Sequence, residues 1–177
     1  MRYPPIILDA ELGYSNWLKV RKDKLRVRGE EKPYSYDVVI PGDGVAVLPF
    51  LGMDTLLLQK QHRHPVDKQV LELIQGGKGR FEKPEQAGLR ELLEETGYTA
   101  DFNYITEFYP LPSILDMRVH ILEAYNLKKI QEPTHNPLED AEIIQVPFKQ
   151  VLEEILAGQH KDSALAIAVL NHYARKT

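Results

Sequence analysis

Residues 76–98, GGKGRFEKPEQAGLRELLEETGY, constrain this chain more than any other stretch. The segment reads as a helix from about Pro84 to Thr96. Pro84 suits the first turn, where the N–H it lacks has no intrahelical partner. Gly97 suits the position past the last turn, where a left-handed residue stops a helix. At about 100° per residue, Glu91, Glu94 and Glu95 fall on one face, with Arg90 at its edge, and Leu89, Leu92 and Leu93 fall on the opposite face. Like charges at i,i+3 and i,i+4 cost a bare helix about 0.2–0.5 kcal/mol per pair. If the face is partly buried, carboxylates ~5 Å apart repel by roughly 3 kcal/mol at an effective dielectric of ~20. Arg90, four residues before Glu94, relieves part of this. A hard divalent cation relieves more, and Mg²⁺ is typically held by one or two carboxylates together with substrate phosphates. The alternative is a solvated acidic face, the usual meaning of a run of charges.

The spacing outside the helix separates these readings. Gly76 is followed after five residues by Glu82, then after seven by Arg90-Glu91-Leu92, and then by Glu94-Glu95 and Gly97-Tyr98. This pattern resembles the Nudix box, the signature of Nudix hydrolases. Every fixed position is filled, and Tyr98 stands where an aliphatic residue is more usual. The resemblance implies an α/β (α+β) fold, an α/β/α sandwich around a mixed sheet. It also implies hydrolysis of a nucleoside diphosphate linked to another group, with Mg²⁺ (or Mn²⁺). It assigns metal binding to Glu91 and Glu95, with the Gln75 carbonyl completing the shell. Glu94 and Arg90 then belong to the catalytic machinery beside them, and Glu82 supports. Gly76 and Gly77, with Gly79, would let the backbone approach substrate closely or take positive φ.

The remaining composition narrows the partners. A chain of 177 residues is most simply one domain with a substantial core. A formal net charge of −4 argues against a nucleic-acid or anionic-membrane surface. No apolar run is long enough to span a membrane. The start, MRYPPIILDAELGYS, lacks the basic-then-apolar order of a secretory signal. Cysteine is absent, which removes disulfide and thiolate chemistry and fits a cytoplasmic protein.

Read in order, residues 1–15 are an irregular lead-in. Asn16–Arg21 and Leu25–Arg28 alternate apolar and polar residues as a β-hairpin turning at Lys22-Asp23-Lys24, and Tyr34–Ile40 is a third strand stopped by Pro41-Gly-Asp-Gly. Further strands are expected at Gly44–Leu51, Asp54–Gln61, Val70–Gln75, Ala100–Phe108, Arg118–Tyr125 and Glu142–Pro147. Helices are expected at Phe148–Leu156 and Ala164–Arg175. Asp162 or Ser163 caps the last helix, with Leu165, Ala168, Val169 and Tyr173 on one face. Residues 1–42 read as an N-terminal β-hairpin extension and 43–177 as the Nudix domain. His62 and His64 share a strand face, but no third ligand nearby supports zinc.

Beyond the box the chain resembles the ADP-ribose and nucleotide-sugar pyrophosphatase branch. The resemblance rests on the hairpin region 17–28, Val47-Leu-Pro, Gln61-His-Arg-His-Pro, Leu71-Glu72-Leu73 and Lys161-Asp162-Ser163. It implies a nucleoside diphosphate sugar as substrate and a homodimer whose N-terminal strands help build the partner's pocket. Trp17 and Tyr34 to Tyr36 are then candidates for base stacking, an interaction that suits aromatic faces. Arg63 is a candidate diphosphate contact, since guanidinium matches phosphate oxygens, with Glu72 beside it. One departure concerns the general base: where the branch carries Glu in the loop 110–118, this chain has Met117, preceded by Asp116. Either Asp116 substitutes or the base comes from Glu139, Asp140 or Glu142. Competing readings are a Nudix hydrolase of nucleoside triphosphates or of dinucleotides such as FAD and NADH, and a non-catalytic nucleotide-binding module.

Overall fold

The computed structural model describes residues 6–15, 18–134 and 141–176. Two compact units divide between Gly42 and Asp43, and the segment Tyr109–Arg118 belongs to the first.

The first unit is an antiparallel sheet of β1 (Ile6–Ser15), β2 (Lys19–Arg26) and β3 (Tyr34–Ile40), in that order. This corrects two expectations. The stretch before residue 16 is not irregular but supplies β1, and Lys22-Asp23-Lys24 is not a turn but the middle of β2. The cause is an ion pair along one strand face. Arg21 donates from Nε and Nη2 to Asp23 at 2.8 and 3.0 Å, and residues two apart on a strand share a face. Neutralised in this way, Asp23 is 4 % exposed in the middle of the strand. The loop Tyr109–Arg118 is stitched to β3. Val39 N–H donates to the Ile114 carbonyl and Asp116 N–H to the Val39 carbonyl, each at 2.9 Å. The Tyr36 hydroxyl donates to the Ser113 carbonyl.

The second unit holds β4 (Gly44–Leu51), β5 (Thr55–Arg63), β6 (Lys68–Glu72), β7 (Ile74–Gly77), α1 (Pro84–Thr96), β8 (Tyr98–Phe108), β9 (Val119–Lys129), β10 (Ala141–Pro147), α2 (Phe148–Leu156) and α3 (Ser163–Lys176). The sheet runs β10-β5-β4-β9-β8, with β6 on β5 and β7 on β4. The β4–β9 pair is parallel and the other pairs are antiparallel, so the sheet is mixed as expected. The apolar run of β4 is buried from Gly44 to Phe50, which requires cover on both faces. Val45 and Val47 pack with Ala87 and Leu92 of α1 and Leu122 of β9. Phe50 meets Phe148 of α2 and His172 of α3 instead. The result is the α/β/α layering.

Asp162 caps α3, accepting from Leu165 N–H at 2.7 Å. Tyr173 does not line the buried face: it is 47 % exposed, while His172 is 3 % exposed. Periodicity misleads here because His172 has a distant partner. Its Nδ1 lies 2.8 Å from Oε1 of buried Glu123 on β9.

Candidate functional site

Helix α1 spans the residues its sequence signals mark. Pro84 occupies the first turn, and Gly97 ends the helix at φ 77° with its N–H on the Leu93 carbonyl. At the start, Lys83 N–H is taken by the Gln86 side chain at 3.0 Å. The buried side differs from the expected leucine face. Ala87, Gly88, Glu91, Leu92 and Thr96 face inward, while Leu89 is 37 % exposed. Gly88 accounts for the rotation: a Cβ there would lie 2.4 Å from Leu122 Cδ1, so α1 sits close on β9. That closeness turns Glu91 toward the sheet, where it is 9 % exposed.

Glu91 lands on the first box glycine. A Cβ on Gly76 would fall 2.2 Å from Glu91 Cδ and 2.4 Å from each of its carboxylate oxygens. Only a residue without a side chain admits the carboxylate there. Gly77 differs: a Cβ there would meet no protein atom within 4 Å, and its φ is not left-handed.

Arg90 organises the acids. It donates to Glu82 from Nε and Nη2 at 3.2 Å each, to Glu91 Oε1 from Nη1 at 2.5 Å, and to the Gly77 carbonyl from Nη2 at 2.7 Å. Its Nη1 also lies 3.5 Å from Glu94, whose side chain is half exposed. Glu82 accepts from Gly79 N–H at 2.9 Å as well. The Arg90 hydrogen bond, followed by the Gly79 N–H, holds the Glu82 carboxyl below its ordinary pKa. The hydrogen bonds that Arg90 donates to Glu82 outweigh burial and, with the one to Glu91, hold Arg90 firmly protonated. Glu95 follows Glu91 by one turn and is partly buried.

Arg63 and Glu72 form a second grouping. Glu72, 2 % exposed, takes Arg63 Nε at 2.8 Å and Nη2 at 2.6 Å, and the Gln75 side-chain amide at 2.7 Å. The Arg63 plane is thereby fixed. Arg63, Glu72 and Gln75 line a cleft of about 720 Å³ together with His160 and Lys161 from the loop before α3. Burial, offset in part by the Leu165 N–H, raises the pKa of Asp162 at that cleft.

Within the first unit, Tyr36 and Asp116 line a concavity of about 310 Å³ with Arg21 and Tyr109. Sequence reading missed Arg21 and Tyr109 in this role, because only the folded loop brings residue 109 to β3. Trp17 and Glu139, like Asp140, lie outside the described residues. His62 faces Asp67 at 3.6 Å. Among the described residues no group of three or more His, Asp or Glu is placed to hold a metal ion by itself.

The family model of the NUDIX domain matches residues 41–166. The chain belongs to the Nudix family. It is a Nudix pyrophosphohydrolase, and two of its relatives are named pyrophosphatases. It is 34 % identical over 131 residues to the ADP-ribose pyrophosphatase of Bacillus subtilis, covering 73 % of this chain and 70 % of that one. It is 28 % identical over 166 residues to the GDP-mannose pyrophosphatase of Yersinia enterocolitica, covering 86 % of each. The fold is that of a crystal structure of an ADP compounds hydrolase, with a TM-score of 0.86 over 99 % of this chain and 95 % of that one, at 19 % identity.

Proposed function

We propose that this Nudix hydrolase cleaves the diphosphate linkage of ADP-ribose or a related nucleoside diphosphate sugar. The products are a nucleoside monophosphate and a sugar phosphate, and the cofactor is Mg²⁺ or Mn²⁺. The observation that carries the reading is the Glu91 carboxylate seated against Gly76 and gripped by Arg90. The curated relatives supply the substrate class.

The donor set fits a hard divalent cation. Glu91 and Glu95 offer carboxylate oxygens one helical turn apart, and the Gln75 backbone carbonyl belongs to the strand that ends at the box glycines. A shell of two carboxylates is what Mg²⁺ takes when substrate phosphates complete it. When bound, the cation supplies Lewis-acid neutralisation of the diphosphate and a template for it.

The chain's own residues do the rest. Arg90 holds Glu91 in place. Arg63, held flat by Glu72, offers a fixed guanidinium to phosphate oxygens. A carboxylate takes a proton from the water that attacks phosphorus as the bond to the bridging oxygen breaks. The sequence leaves Asp116 and Glu139 as candidates, and kcat of D116N and E139Q tells them apart. Tyr36 supplies a ring face for the base. The assembly is a homodimer joined through the N-terminal strands, a reading supported by β1, where Ile6, Ile7, Leu8, Leu12 and Tyr14 are all exposed. Light scattering that gives a monomer mass would remove it.

The test is a panel of ADP-ribose, GDP-mannose, UDP-glucose, FAD, NADH and dNTPs with Mg²⁺. Phosphate release is read after coupling to a phosphatase. The expected result is turnover of a nucleoside diphosphate sugar far above that of any dNTP. Turnover of dNTPs alone overturns the substrate class, and no turnover of any member overturns the reaction.

A further inference from the structure

Lys78 fills one of the variable positions of the box, between Gly77 and Gly79. The box pattern asks for no lysine there, yet its side chain is only 10 % exposed. Lysine ordinarily buries its stem and keeps its ammonium in water. Here Nζ donates to the Gly79 carbonyl at 3.3 Å and the Glu82 carbonyl at 3.5 Å, and it lies 3.9 Å from Asp43 Oδ2. The Lys78 backbone N–H also donates to the Asp43 carbonyl, at 2.8 Å. Asp43 immediately precedes β4, and its Oδ2 faces Nε2 of buried His120 on β9 at 4.0 Å.

These contacts join at Glu82 to those already described. Residues 78–83 carry no helix or strand, and glycines give such a loop little conformational preference of its own. Its position therefore depends on its tethers. Lys78 holds the carbonyls at both ends of the turn from Gly79 to Glu82, the turn that the Glu82 carboxylate closes by accepting from Gly79 N–H. Glu82 receives two hydrogen bonds from Arg90, and Arg90 grips Glu91. A run of contacts thus extends from His120 on β9 to α1, with charge alternating from Asp43 through Lys78, the turn with Glu82, and Arg90 to Glu91.

We propose that Lys78 is a positioning residue for the cation site, anchoring the box loop to Asp43 and thereby setting Arg90 and the Glu91 carboxylate. The inference rests on the reading of Glu91 as a cation ligand, and its test separates the two. Mn²⁺ affinity is measured by electron paramagnetic resonance on the full chain without substrate, for wild type, K78M, D43N and the double variant. K78M keeps the stem and removes the charge.

Residues behind a metal ligand typically change metal affinity by tenfold or more, so K78M should weaken Mn²⁺ binding about tenfold. It should lower kcat with KM for the nucleotide sugar changed by less than about twofold, because the loss lies in orientation and not in uniform substrate binding. D43N should shift both quantities the same way. The double variant should be no worse than K78M, since residues acting through one link are not additive. Wild-type binding of Mn²⁺ with equal binding by folded K78M overturns the positioning role and leaves the cation reading standing. Absence of Mn²⁺ binding by wild type overturns both. If K78M does not fold, D43N decides: unchanged affinity in folded D43N overturns the proposal, and weakened affinity supports it.

Discussion

The adjacent glycines Gly76 and Gly77 should respond oppositely to the same small change. In G76A the new methyl would stand 2.2 Å from Glu91 Cδ, whereas ordinary contact begins at 3.4 Å. The carboxylate must therefore retreat by about 1.2 Å, and Arg90 Nη1, now 2.5 Å from Oε1, must follow or let go. The obstructing atoms are the end of a flexible side chain, so the fold gives way cheaply. An off-rotamer side chain costs about 0.5–1.5 kcal/mol, which in a chain of this length lowers Tm by roughly 1–6 °C. Catalysis is less forgiving, since a ~1 Å misplacement can cost about 10²-fold. G77A should change neither quantity appreciably, because its methyl meets nothing within 4 Å and its φ is not left-handed. The assay pairs kcat/KM on a nucleotide sugar with urea unfolding for both variants. If G76A keeps activity within about threefold of wild type, or if G77A is as damaged as G76A, the seating of Glu91 on Gly76 is not what the site requires.

Three further outcomes follow from particular contacts. E95Q should nearly abolish Mg²⁺-dependent turnover with an unchanged urea midpoint, and full activity in E95Q would remove the cation role. G97A forces an L side chain to φ 77° with its Cβ 2.0 Å from the Gln131 carbonyl oxygen; left-handed strain alone is worth about 1–2 kcal/mol, so urea unfolding should show at least that loss. Burial opposes ionisation of Glu123, but hydrogen bonds from Tyr125, His172 and Arg175 prevail and hold its carboxyl below the ordinary value. A depressed folded pKa contributes stability that is complete above the unfolded value of about 4.3 and is lost as pH falls through the folded one. Tm of wild type should therefore fall more steeply with acidification below that point than Tm of E123Q, and parallel curves would refute the linkage.

What the sequence reading recovered and what it missed divide along one physical line. The ends of α1 were legible because their causes are local: Pro84 needs no partner for an N–H it lacks, and Gly97 alone tolerates the backbone that stops the helix. Most strands from β3 to β10 were legible for the same reason, since alternation and turn residues act over a few positions, but the one strand read at Val70–Gln75 is two, β6 on β5 and β7 on β4. The turn expected at Lys22-Asp23-Lys24 failed because a charge cluster looks like punctuation until Arg21 is seen to neutralise Asp23 on the same face. The leucine face of α1 and the placing of Tyr173 failed for a deeper reason. Glu91 and His172 are buried, each beside a partner no local window contains: Gly76, fifteen positions earlier, and Glu123, 49 positions earlier. Patterning rules are expected to break where function places a charge inside. In α1 the break is informative in itself. A helix that buries a glutamate and leaves a leucine exposed has been turned by Gly88 so that one carboxylate reaches β7, and packing of apolar groups alone would not choose that orientation.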